Sequence, residues 1–161
     1  MPLPSEFRAP WCTTLKAVTF TGIAIALALT IAAFVGRPAL PWAAPLLSSL
    51  LLACSLSTIR RYSITKDAII IHRLLWNVRL PTAGLTAASA DPRAMRGSLR
   101  TFGIGGCFSW SGWYWNRPLR SYRAFVTDPH CAVILRWNKR TAVLSPDDPT
   151  RFIASLQPLP S

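Results

Sequence analysis

Nineteen consecutive residues without a charge, Ala17 to Val35 (AVTFTGIAIALALTIAAFV), constrain this chain more than any other feature. A second uncharged run of 21, Ala39 to Ile59, follows almost at once. As helices, at about 1.5 Å per residue, the runs reach roughly 28–32 Å, the thickness of a bilayer's hydrocarbon core. Backbone groups in lipid must be bonded within the segment, which makes helix the form for both. The connector GRPALP carries Gly36, Pro38 and Pro41 and reads as helix stop, turn and helix start. The pattern predicts an antiparallel transmembrane hairpin with spans at about 17–35 and 40–59. Ser48, Ser49, Ser55 and Ser57 weaken the second span, and Pro45 shortens its regular part. A cleaved signal peptide has an apolar region of only about 7–15 residues and would still leave the second run behind. A soluble helical pair would have to bury both runs within 161 residues.

The flanks set an orientation. Arg8 and Lys16 precede the first run, Arg60, Arg61 and Lys66 follow the second, and the connector holds only Arg37. The positive-inside rule puts both termini in the cytoplasm, as a multi-pass protein of a bacterial inner membrane. Trp11 and Trp42 stand near opposite ends of the runs, where indole rings favour the headgroup level. The chain divides into residues 1–59, tail and hairpin, and residues 60–161, a cytoplasmic domain. That domain holds fifteen of the 18 basic residues and five of the six acidic ones. Such a surplus suits an anionic leaflet or nucleic acid alike. Tethering beside the bilayer decides for the membrane, with no nucleic acid as partner.

The second part reads as strands. YSIT and AIIIHRLL flank a Lys66–Asp67 turn, with Ile69 and Ile71 on one face. WNVRLPTAGLTAA continues the pattern, and the polar SADPRAMRGSLR reads as a mobile basic loop. SYRAFVTD, CAVILRW and RTAVLS give three more strands, the last two joined by a tight NKR turn. At the end, Asp148 is placed to cap a short helix with Pro149 first and Phe152, Ile153 and Leu156 on one apolar face, stopped by Pro158. A helix so short persists only by docking on the sheets.

This order of about seven strands and a closing helix, with YSIT-KDAIII, the glycine–aromatic segment, YRAFVTD, AVILRW and AVLSPDDPTRF, resembles the bacterial pleckstrin-homology-like family of small membrane-anchored proteins. The resemblance covers roughly Arg61 to Leu156, and the strand followed by SPDDPTRF is its most specific part. It implies an α+β protein: the helical hairpin, then a strongly bent pair of antiparallel sheets, sandwich or barrel, capped by the C-terminal helix. It implies no agreed activity. The density of Trp at Trp110–Trp115 and the basic loop Arg93–Arg100 depart from the family's pattern.

The segment Phe102–Phe125 holds four glycines and eight aromatic residues. A dinucleotide fingerprint fails because Phe108 stands where the third glycine belongs, and no Lys-Ser/Thr follows for a P-loop. Glycines in strand-like sequence mark bends or close backbone approach. Phe102, Phe108, Trp113 and Tyr122 are expected over that bared backbone, filling the core. Strand alternation cannot bury Trp110, Trp113, Tyr114 and Trp115 together. The surplus, beside Arg117 and Arg120, predicts an amphipathic positive patch for a membrane interface or a partner protein.

Little here is suited to catalysis, and the chain is read as a non-enzyme without cofactor or metal. His72 falls on a strand, His130 in a turn, and Asp147 and Asp148 at a helix start. The cysteines at 12, 54, 107 and 131 form no C-x-x-C, and a zinc site at Cys107, Cys131 and His130 lacks a fourth ligand. Cys12 beside the membrane is a candidate for palmitoylation. Small residues of the first run, among them Gly22 and Ala26, favour helix packing within the hairpin or on another membrane protein. The sequence thus predicts a membrane-anchored binding module. Its candidate residues are Arg60, Arg61, Arg93, Arg96, Arg100, Trp110, Trp113, Trp115, Arg117 and Arg120, turned to anionic lipid headgroups. The alternative is an accessory subunit of a transporter or envelope enzyme using the same domain for assembly.

Overall fold

A computed structural model describes residues 5–36 and 42–156. The first described element is a strand, β1 (Ser5–Arg8), and the chain enters α1 (Thr13–Val35) through Cys12, whose Sγ accepts a hydrogen bond from the Leu15 amide at 3.4 Å. A second helix, α2 (Ala43–Leu56), packs along α1. Then come β2 (Ile59–Ile64), β3 (Ala68–Arg73), β4 (Asn77–Pro81), β5 (Leu85–Ala90), β6 (Leu99–Cys107), β7 (Ser109–Asn116), β8 (Arg120–Val126), β9 (Val133–Trp137), β10 (Arg140–Leu144) and α3 (Pro149–Leu156). The α+β class holds, with ten strands among the described residues where about seven were expected. WNVRLPTAGLTAA divides at Thr82–Gly84 into β4 and β5, the aromatic segment supplies both β6 and β7, and β1 precedes the helices.

One sheet runs β1-β2-β3-β4 and the other β5-β9-β10-β8-β7-β6. All pairs are antiparallel except β8–β10, which is parallel, a departure from the expected antiparallel pair of sheets. It arises because the chain leaves β8 through a 3-10 turn at Pro129–Cys131 and places β9 beyond β10, so β10 returns beside β8 in the same direction. The main core lies between the sheets. Ile59, Tyr62, Ile69, Ile71, Leu135 and Leu144 close it, and Phe152 and Leu156 of α3 seal it. Asp148 caps α3 as anticipated, its Oδ1 accepting from the Arg151 amide at 2.9 Å. Pro158 and most of the GRPALP connector lie outside the described residues. Tyr62 Oη donates to the Phe125 carbonyl at 2.8 Å, and Ser145 Oγ accepts from the Thr127 amide at 2.8 Å beside it. Full burial pushes the Tyr62 hydroxyl up to about 12. A second core covers the other face of the larger sheet, with Tyr114, Leu119, Tyr122, Val126 and Ile134 under Ala94 and Met95.

The helices depart from the sequence expectation in length. α1 starts at Thr13 and takes Lys16 into its first turn, and it is long and apolar enough to cross a membrane. The second run does not form a full span: α2 has 14 residues, about 21 Å. The reason is Ile59, wholly buried in the core as the first residue of β2, which draws the chain out of the helix at Ser57. Ser57 and Thr58 amides tighten onto Cys54 and Ser55 at 3.1 Å to finish the last turn. The residues before α1 also belong to the β-domain, although the sequence grouped them with the helices. β1 pairs with β2, Arg8 opposite Arg61, and Phe7 packs edge-on to Phe152 at 5.1 Å. The chain therefore leaves the smaller sheet at Arg8, and α2 returns it to the neighbouring strand of that sheet.

Candidate functional site

The glycine–aromatic segment is a long β6–β7 hairpin. Gly103 and Gly112 face each other across it at φ +116° and +143°, where side chains rarely go. A Cβ on Gly103 would stand 2.7 Å from the Gly112 Cα, so close backbone approach explains both glycines. The hairpin end carries Phe108, itself at φ 61°, to α1: its amide donates to Thr19 Oγ1 at 3.1 Å and its ring meets Trp11 edge-on at 6.1 Å. Phe108, α1 and α2 together bound an apolar groove of about 380 Å³ lined by Ala26, Leu27 and Leu51 among others.

Of the rings expected in the core, only Tyr122 is there. Phe102 is 77% exposed and Trp113 45% exposed, and Phe108 is half-buried against the helix rather than in the sheets. Alternation along β7 sets the pattern: odd positions face the smaller sheet, which covers Ser109 and Ser111 but not Trp113 and Trp115. Tyr114 and Asn116 point into the second core.

The predicted residues do not converge. Arg60 and Arg61 are exposed on β2 near the helices, and Arg61 pairs with Glu6 at 3.3 Å. Arg93 and Arg96 rim a cavity of about 540 Å³ with Trp110 and His130 on the far face of the larger sheet. The expected mobile loop around them is a chain of turns with Ala94 buried, because the Asn116 amide donates to the Ala94 carbonyl at 2.8 Å and to Ser98 Oγ at 3.0 Å. Arg100 is exposed on β6. Arg117 lies in the β7–β8 turn and Arg120 begins β8, a whole strand away from the hairpin end at α1, roughly 23 Å for eight residues. Trp113 and Trp115 lie on the opposite face from Trp110. No single Trp–Arg patch forms.

The sequence missed a different cluster. Arg73, last residue of β3, pairs with Ile59 at the start of β2 and so stands where the β-domain meets α2. Its guanidinium lies 5.4 Å from the Phe125 ring and 5.6 Å from Trp76, and that of Arg123 lies 5.1 Å from the same Phe125 and 6.0 Å from Trp113. Arg73 Nη2 donates to Ser111 Oγ, but its Nε is buried with no hydrogen-bond partner among the described residues. Burial, and then the neighbouring Arg123 charge, lower its pKa. The turn after it exposes Leu74, Leu75 and Trp76. The clue in the sequence was that RLLW places three large apolar residues where a turn ordinarily carries polar ones.

Elsewhere the chemistry is quiet. His72 Nε2 is bonded to Ser63 Oγ at 2.9 Å, and the Cys131 thiol is pushed up by burial and by Asp128 and Asp147. No group of three or more His, Cys, Asp or Glu side chains that could hold a metal occurs among the described residues.

A family model described as Bacterial PH domain matches residues 60–159, from the first basic residues of β2 to beyond α3. No curated protein and no solved structure matches the chain. The match takes in nine of the ten strands and the sealing helix, most of the chain's length, and on it the chain belongs to the bacterial PH domain family.

Proposed function

We propose that this chain is a membrane-anchored, non-enzymatic binding module, a bacterial PH domain held at the cytoplasmic leaflet by α1 with α2 beside it. One observation carries the reading: most of the apolar surface of α1 is left uncovered by the described residues. Only 17% of its most apolar window is buried, and Phe20, Ile25, Leu27 and Ile31 are each more than half exposed. Core helices of soluble proteins bury such faces, and an aqueous surface of this extent is costly. A 23-residue helix reaches about 34 Å, enough for the hydrocarbon core, while α2, about 21 Å long, accompanies it without matching it. The pairing of β1 with β2 supports a return of the chain to the side it left, and the basic flanks Arg8, Lys16, Arg60 and Arg61 favour the cytoplasm for that side. The domain would then meet anionic lipid headgroups continuously.

Protease added to sealed vesicles tests the arrangement. The β-domain is digested in inverted inner-membrane vesicles and protected in right-side-out spheroplasts; the opposite pattern rejects it. Assembly with another membrane protein is a second reading, favoured by β6 being a sheet edge that exposes Leu99 and Phe102. A stoichiometric partner lost on Trp113→Ala would support it.

A further inference from the structure

We propose that Arg73 and Arg123 form a binding site for the phosphate of an anionic phospholipid headgroup, at the end of the β-domain nearest the helices. The reading rests on the membrane anchoring argued above and names the ligand. Three observations meet there. The two guanidiniums both lie against one buried ring, Phe125, at 5.4 and 5.1 Å, and no carboxylate accompanies them: among the described residues the salt bridge is Arg61–Glu6, elsewhere on β2. Like charges brought together over a low-dielectric ring repel each other unless an anion sits between them. The buried side-chain polar atoms without a partner among the described residues are Arg73 Nε and Ser109 Oγ. Ser109 lies on the same face of β7 as Ser111, which already receives Arg73. Unsatisfied donors beside a pair of uncompensated arginines are what a phosphate oxygen satisfies, since guanidinium binds phosphate in a bidentate fork.

Position selects the source of that phosphate. Arg73 is paired with Ile59, three residues beyond the end of α2 at Leu56, so the site lies at the level where α2 emerges. Leu74, Leu75 and Trp76 are 43%, 65% and 45% exposed directly beside it. An apolar turn ending in an indole next to two arginines matches a phospholipid, with acyl chain on one side and phosphate on the other. A free phosphate would have no use for the leucines.

The test uses the full chain in neutral maltoside micelles, with bound lipid read by native mass spectrometry and tryptophan fluorescence. Phosphatidylglycerol, phosphatidylcholine and inorganic phosphate are added separately. Phosphatidylglycerol is expected to bind saturably. Arg123→Gln, whose residue is exposed and whose loss spares the core, should weaken it by about tenfold or more, with Arg73→Lys weakening it less. Lys139→Gln, in the exposed β9–β10 turn, should leave it unchanged. Equal binding by Arg123→Gln and wild type overturns the site, as does an equal loss in Lys139→Gln, which would mean surface charge alone. Displacement by millimolar inorganic phosphate, or equal binding of phosphatidylcholine, overturns the anionic-lipid assignment. Each of these failures leaves the detergent requirement of the chain untouched, whereas a chain dispersed without detergent would remove the anchoring itself.

Discussion

Replacing Gly112 by alanine should cost far more than an alanine usually does. The residue sits at φ +143°, a region essentially reserved for glycine, which costs about 1–3 kcal/mol for any side chain. The added Cβ would also overlap the Phe102 carbonyl oxygen and approach the Gly103 Cα to 2.8 Å and the Phe102 carbonyl carbon to 3.1 Å. Those atoms are backbone of the paired strand, so no side chain can swing aside and β6 must move away from β7. Overpacking of this kind costs about 1–3 kcal/mol more, for a total of about 2–6 kcal/mol. Gly97→Ala is the matched control: its φ is +67° and no atom lies within 4 Å of the new Cβ, so only the left-handed penalty of about 1–2 kcal/mol applies. In a chain of this size about 2–4 °C of melting temperature is lost per kcal/mol. Thermal melts of the full chain in detergent, followed by near-ultraviolet circular dichroism of its tryptophans, should show Gly112→Ala lower by about 10 °C and Gly97→Ala by a few degrees. Melts that coincide would refute the close-approach account of the hairpin. Because that hairpin carries Phe108 to Thr19, Gly112→Ala should also loosen its contact with α1.

Asn116→Ala removes donors to Ala94 and Ser98 and the acceptor for the Leu119 amide at 2.9 Å, and should cost about 2–3 kcal/mol while amide exchange rises over residues 92–98 and stays slow in β9 and β10. Alkaline titration probes Tyr62. Its folded value of about 12 lies above the unfolded value near 10, so the neutral hydroxyl's stabilisation is complete below about pH 10 and lost as pH rises through about 12. That amounts to roughly 3 kcal/mol, and Tyr62→Phe should flatten the decline measured by denaturant titration across this window. Leu27, 60% exposed near the middle of α1, makes the third case. Leu27→Arg should lower the membrane-bound fraction, since arginine at a span's centre costs about 2.5–3.5 kcal/mol, whereas on a water-facing helix it would cost almost nothing.

Strand alternation, turn chemistry and capping were legible because each is local. Ile69 and Ile71 alternate inward, Asn138–Lys139 turn β9 into β10, and Asp148 and Pro149 start α3. The helical segment was legible in kind and not in extent, since the claim of the core on Ile59 is tertiary and leaves the uncharged run looking continuous. β1 was hidden for the same reason: four residues gain strand character only from pairing with β2 across more than fifty positions. The candidate site was the least legible. Trp110, Trp113, Arg117 and Arg120 are close in sequence, and a strand sends them to opposite faces and ends. Arg73 and Arg123 meet only because the two sheets fold over Phe125.

The proposed anchoring requires α1 to lie in lipid, and the way the full chain leaves bacterial membranes measures that most directly. At 1 M salt the Debye length falls to about 3 Å, which releases a basic protein held by surface charge alone. The chain should stay in the membrane pellet through 1 M salt and through urea, and enter solution only with detergent. Release into the salt wash as a dispersed protein would contradict it.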